Sequence, residues 1–292
     1  MEYSFPHYLL AKQTVDDRAL NRVVLAALKA NLPKPPIRII EVGAGIGNML
    51  ARLVSWDCIT QAEYVHVDSL AENIEYAAAW IPRWAADSGL RSERGRSREL
   101  RVFDESHDIH ITLEQADVFD FIAGGPAPAD LLIAHAFLDL LPLPESMPKL
   151  LELTKNLAWL TINFDGVTSF EPMLDAALDQ QIERLYHQSM DTRTSGGDSR
   201  SGRHLFSHLQ NAGAKVLAAG ASDWVVYPQD KGYVAEEAYF LYFILHFFEE
   251  SLSNHTELDA SAFARWLSER RAQVERGQLV YIAHQMDFLA RV

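Results

Sequence analysis

Short runs rich in valine and isoleucine alternate with stretches of helical spacing from residue 37 to residue 165. "IRIIEV" (37–42) and "EYVHVD" (63–68) predict two strands. Further runs near 109–113, 130–136 and 156–164 predict a third, a fourth and a fifth. Between them, "GNMLARLV" opens a helix and "LAENIEYAAAWIPRWA" predicts another, running up to Pro82. Helical material around Lys149–Leu153 separates the fourth strand from the fifth. Such alternation predicts a mostly parallel sheet with helices on both faces.

The flanks follow other rhythms. Thr14 and Asp17 have the spacing of a capping box. Leu20, Val23, Val24, Ala27 and Leu28 then recur at helical spacing until "LPKPP" (32–36) stops the helix. After residue 165, Pro172 stands at a helix-opening position, with Leu174, Leu178, Ile182 and Leu185 on one stripe. Residues 214–228 predict a strand region, 234–252 and 260–276 two helices, and 278–292 a last strand. One domain is therefore expected over 1–292: a helical cap (1–36), a central half (37–165), and a half with added helices (166–292). Residues 88–101, with five arginines, read as a solvated insertion, and 191–204 as a linker or a lid whose arginines meet an anion.

Charge and composition narrow the classes. The net charge of −14 argues against a phosphate-backbone partner, so no nucleic acid is expected. The single cysteine, Cys58, excludes an internal disulfide or a cysteine metal cluster, and no metal site is expected. The longest apolar run, 238–248, is shorter than the about 20 residues a membrane span needs. With no leader pattern at residues 1–17, a cytoplasmic protein is expected.

The candidate chemistry centres on "EVGAGIG", residues 41–47. Glycines spaced after a first strand let a backbone approach a nucleotide closely. The dinucleotide pattern G-x-G-x-x-G needs a third glycine at 48, where Asn48 stands; the third glycine is Gly47. Glu41, at the strand end, suits a ligand with a positive group or with donors rather than a pyrophosphate.

This loop resembles the first motif of the class I S-adenosylmethionine-dependent methyltransferases. The resemblance extends to Asp68 at the end of the second strand, where the family binds both ribose hydroxyls, and to "QADVFDF" after the third. It implies S-adenosylmethionine as methyl donor and S-adenosylhomocysteine as product. It also implies an α/β, doubly wound, Rossmann-like sheet of seven strands with the last antiparallel. The expected cofactor residues are Glu41, Gly43, Ala44, Gly45, Gly47, Asn48, Asp68, Ser69, Asp117, Val118 and His135. Asp68 also reads as a helix cap and Asp117 as a solvated loop acid.

The resemblance implies in-line transfer of the sulfonium methyl to a small-molecule acceptor. The family's Asn/Asp-Pro-Pro-Tyr/Phe signature is absent, since "AHAFLD" follows the fourth strand. His135 is the candidate base, or else lines the cofactor pocket. Tyr8, Asp139, Asp165, Thr168, Phe170, Arg193 and Arg200 are the acceptor-side candidates, with Asp165-Gly166 as a turn. Lys12 and Arg18 on the cap are candidates for the methionine carboxylate of the cofactor. The aromatic helix 234–252 reads as core, as a homodimer face or as an acceptor pocket. The alternatives to an active methyltransferase are a non-catalytic binding or regulatory protein of the same fold, an NAD(P)-dependent oxidoreductase and an RNA methyltransferase.

Overall fold

The computed structural model describes residues 3–96, 98–193 and 196–292. Its centre is a parallel run of five strands: β1 (Ile37–Val42), β2 (Gln61–Asp68), β5 (Asp108–Gln115), β6 (Ala129–His135) and β7 (Thr154–Glu171). The chain moves outward from β1 through β2 to β5, then returns to the other side of β1 for β6 and β7. That reversal opens a crevice at the carboxyl ends of β1 and β6, where doubly wound sheets bind ligands. The last strand, β10 (Val280–Arg291), enters antiparallel between β7 and β8 (Lys215–Ala221), as expected.

The sheet has ten strands rather than seven among the described residues. The additions are a hairpin, β3 (Arg91–Arg94) and β4 (Glu99–Phe103), and the short β9 (Trp224–Val226) on β10. The hairpin corrects the expectation of a solvated insertion at 88–101; Ser97 lies outside the described residues. Leu100 and Val102 are buried against β5, while Arg91 and Arg101 lie over the Phe103 ring. The arginines hid a strand alternation because their long side chains cover an apolar ring.

Period-two alternation divides the core. Ile39, Leu131, Ile133 and Trp159 face one side, under α3 (Arg22–Asn31), α5 (Ala71–Asp87) and α10 (Glu237–Leu252). Ile40, Leu132, Ala158 and Leu160 face the other, under α7 (Leu143–Leu151) and α9 (Ser201–Asn211). The aromatic helix α10 is thus mainly core: Phe240, Phe243 and Phe248 are buried. The other late helix, α11 (Ala260–Glu275), lies where it was expected.

Several local expectations change. The cap holds three helices, α1 (Phe5–Ala11), α2 (Gln13–Ala19) and α3, instead of one. Thr14 caps nothing: its hydroxyl donates to Glu237, and Asn21 caps α3. Helix α5 does not stop at Pro82 but runs to Asp87. Proline there leaves the Ala78 carbonyl without its helical donor, and the Arg94 guanidinium of β3 supplies one at 2.9 Å. Strand β7 continues through Asp165-Gly166 because Thr168–Glu171 pair with β10. The next helix, α8 (Ala176–Asp191), is opened by Asp175, not Pro172. Leu174 therefore lies outside the helix and is exposed, whereas Ile182 and Leu185 are buried. Within 191–204, Thr194 and Ser195 lie outside the described residues, and Ser201 already begins α9, a helix the sequence reading lacked.

Candidate functional site

The glycine loop joins β1 to α4 (Asn48–Ser55). Gly43 and Gly45 have φ of 62° and 58°, a left-handed conformation that any larger residue adopts at a cost. A Cβ on Gly43 would lie 2.3 Å from the Phe137 ring, which leaves no room for a side chain there. Strand β2 holds the loop from below. Asp68 accepts from the Gly45 amide at 2.8 Å, and from Leu70 N and Asn73 Nδ2. His66 Nε2 donates to the Gly45 carbonyl at 3.0 Å. Asp68 is therefore a brace for the loop; the helix-cap reading is corrected, because Leu70 is the N-cap of α5 and no side chain caps it.

Beneath the loop, Glu41 is buried and accepts from the Tyr64 hydroxyl at 2.5 Å. Burial pushes its carboxyl up to about 8, against the pull of Tyr64 and then Arg52. An acid raised on folding destabilises the fold above its unfolded value. Its contribution therefore falls from near pH 4.5 to about 8, by at most about 1.4 kcal/mol per pH unit. Glu41→Gln is expected to be more stable than the parent at pH 8 and equal to it at pH 4, in urea melts across pH. A difference that stays constant with pH would contradict this.

The loop walls a cavity of about 230 Å³. Of the expected cofactor residues, Glu41, Gly43, Ala44, Gly45, Asn48, Asp68, Ser69, Asp117, Val118 and His135 line it. Gly47 does not; it takes a φ of 95° at the start of α4. Asp117 is exposed and caps α6 (Val118–Ala123) through Phe119 N. Leu9, Lys12, Arg52, Asn73 and Phe137 are among the other residues of the wall; of these the sequence reading noted Lys12 alone.

His135 is not a free base. Its Nε2 lies 2.9 Å from Asp16 Oδ2 and its Nδ1 2.8 Å from the Thr161 hydroxyl. With Nε2–H donating to the carboxylate, Nδ1 accepts from Thr161 and no lone pair faces the cavity. Burial lowers its pKa to about 4, against the pull of Asp16. Asp16 is fully buried and also meets Lys12 at 3.3 Å, Arg52 at 3.4 Å and Trp224 Nε1 at 2.9 Å. Arg18 is committed elsewhere, to Glu237.

A second cavity, of about 420 Å³, adjoins the first. Phe5, Leu9, Lys12, Ala136 and Leu140 line both. Two non-glycine residues at this junction have positive φ: Ala136 at 50°, just past β6, and Ile162 at 57°, inside β7. Asp287 holds the latter, accepting from Ile162 N at 2.8 Å. Such strain is kept where the backbone must present a site. Of the acceptor-side candidates, Tyr8, Asp139, Thr168 and Arg193 line this cavity. Asp165, Phe170 and Arg200 do not. Asp165 pairs with Arg203, and Phe170 packs among Phe248, Trp266 and Tyr281. Arg200 is exposed at the start of α9. Asp165 follows Phe164, which lines the cavity, and period-two alternation turns it to the opposite face. Phe247 lines it from the aromatic helix, one reading of which was an acceptor pocket; Tyr186 and Tyr281 line it unforeseen as site residues, since pairings far apart in sequence bring them there.

Strand order, the antiparallel last strand and the glycine-loop crevice define a Rossmann-like fold of the class I methyltransferase type. The chain is similar to solved methyltransferases of that class. No family model matches it, and no curated protein does. The cyclopropane synthase MmaA2 of Mycobacterium tuberculosis is 10% identical over 92% of this chain and 83% of its own, with a TM-score of 0.46. A SAM-dependent methyltransferase from Thiobacillus denitrificans, in complex with S-adenosyl-L-homocysteine, is 13% identical over 99% of both chains, with a TM-score of 0.46. The mycolic acid cyclopropane synthase CmaA1, complexed with SAH and CTAB, is 12% identical over 92% and 84%, with a TM-score of 0.45. The fold is defined by the strand order itself; these weak likenesses add no chemistry to it. Among the described residues no helix is long and apolar enough to cross a membrane, and no group of metal-ligating side chains occurs.

Proposed function

We propose that the glycine-loop cavity binds S-adenosylmethionine and that its methyl passes to a small molecule held in the adjoining cavity. The carrying observation is the pair of cavities with a common wall at Ala136 and Leu140. A bound donor and acceptor would meet there, aligned and shielded from water, which in-line displacement requires. Asp68 offers a carboxylate to a cis-diol, and Asp117 with the Val118 amide offers an acceptor and a donor to a base. Lys12, 4% exposed, supplies positive charge for a carboxylate. When bound, the donor supplies an electrophilic methyl; the chain binds, orients and excludes water. Calorimetry with S-adenosylhomocysteine and with NADH tests the donor. Tight, saturable binding of the former alone is expected, and the reverse would refute it.

A further inference from the structure

We propose that Asp139 is the general base of this site and that the acceptor is a ring-bearing molecule presenting a hydroxyl to it. This rests on the methyl-transfer reading above. Asp139 lies on the short 3-10 turn Leu138–Leu140, three residues past the strained Ala136 that walls both cavities. Its side chain lines the acceptor cavity, and among the described residues no other side chain hydrogen-bonds to it or forms an ion pair with it.

Other basic groups around the two cavities are committed. Asp16 is held by Lys12, Arg52 and His135, Glu41 by Tyr64, Asp68 by the Gly45 amide, and Glu250 by His246. Asp117 caps α6, and both ring nitrogens of His135 are engaged. Asp139, which lines the acceptor cavity, is left without a side-chain partner among the described residues; its carboxyl meets only its own backbone amide.

The surroundings suit proton transfer. Burial raises the Asp139 pKa; Arg193, then its own backbone amide, then Lys12 pull it down, and Asp198 adds to the rise. The groups that face it come from separate elements: Arg193 past α8, Lys12 between α1 and α2, Asp198 before α9, Tyr186 on α8 and Tyr8 on α1. A carboxylate more basic than usual is a better proton acceptor near neutral pH. Tyr8, Phe164, Tyr186, Trp224, Phe247 and Tyr281 supply ring faces and edges on which a flat apolar body packs. The volume suits a small organic ligand.

The step balances. The acceptor oxygen forms a bond to the methyl carbon, and the carbon–sulfur bond breaks with its electron pair remaining on sulfur. The sulfonium becomes a neutral thioether. The hydroxyl proton passes to Asp139, whose carboxylate becomes a neutral acid. A methyl ether and S-adenosylhomocysteine leave.

The test uses the whole chain saturated with S-adenosylhomocysteine, and 4-nitrophenol and 4-nitrocatechol as chromophoric probes. A carboxylate facing the probe accepts a hydrogen bond from the neutral phenol and repels the phenolate. The protein is expected to bind the neutral form about tenfold more tightly, read as a shift of the probe's absorbance titration. Asp139→Asn is expected to abolish that preference while its affinity for S-adenosylhomocysteine, which shows that the variant folds, is unchanged. Failure of both probes to bind, binding without preference, or a preference that survives in Asp139→Asn overturns the proposal while leaving the donor reading standing. Failure of S-adenosylhomocysteine to bind the parent overturns both.

Discussion

Asp16→Ala is expected to lose about 3–5 kcal/mol of stability, the cost of leaving buried charges unpaired. Asp16 is wholly buried, and Lys12 and Arg52 beside it are 4% and 2% exposed. Removing the carboxylate leaves Lys12 without its ion pair, over the Trp224 ring at 5.3 Å. It leaves the Arg52 guanidinium with Asp17 at 2.5 Å and the Gln13 carbonyl at 3.2 Å. It also deprives the Trp224 and His135 ring nitrogens of their acceptor. Asp16 ties the cap helix α2 to Arg52 of α4, His135 of β6 and Trp224 of β9, so the loss reaches both cavities. Burial alone would raise the Asp16 pKa; Lys12 first, then His135 and Arg52, outweigh it and hold it well below the carboxylate range. A carboxyl depressed on folding stabilises above its unfolded pKa, and that contribution fades as pH falls towards its folded value. The parent's advantage over the variant should therefore be full at neutral pH and shrink in acid. Urea melts at pH 7 and at pH 3 measure both, and a difference under about 1 kcal/mol at pH 7 would contradict the buried-pair reading.

Asp68→Ala is expected to weaken S-adenosylhomocysteine binding by about 1–3 kcal/mol, roughly 5- to 150-fold. Two causes act together. The carboxylate that would meet the ribose hydroxyls disappears. The Gly45 amide also loses its acceptor at 2.8 Å, so the turn loses part of its support. Burial raises the Asp68 pKa, opposed by the amides of Leu70 and Gly45 and by Asn73. Asp68→Asn separates the causes, since its side-chain oxygen can still accept from Gly45 while the charge is gone. It should recover part of the loss. Unchanged affinity in Asp68→Ala would remove this residue from the site.

The central sheet was legible because β1, β6 and β7 are buried along most of their length and read as short apolar runs, while β2 and β5 alternate apolar with polar residues. The cofactor-side residues were legible for the same reason: they stand at strand ends, and a strand's end is where its apolar run stops. The acceptor side was legible in part: Tyr8, Asp139, Thr168 and Arg193 line the cavity, as does Phe247 of the aromatic helix, whereas Tyr186 and Tyr281 reach it only after α8 and β10 have packed, and nothing local marks them. Arg52 and Asp16 were not singled out in the sequence, because their buried knot forms across 36 residues. The turn expected at Asp165-Gly166 failed because pairing with β10 keeps the strand extended, with Gly166 at a φ of 74° absorbing the irregularity. Pro82 failed as a stop signal because Arg94, from a hairpin that had been read as a loop, satisfies the Ala78 carbonyl.

The most direct measurement is a crystal structure of the chain grown with S-adenosylhomocysteine. The expected result is density for the nucleoside between Asp68 and Asp117, with the thioether sulfur at the Ala136–Leu140 wall and its open side towards Asp139. An empty glycine-loop cavity at saturating ligand, or the ligand bound elsewhere, would contradict the assignment of this crevice as the methyl-donor site.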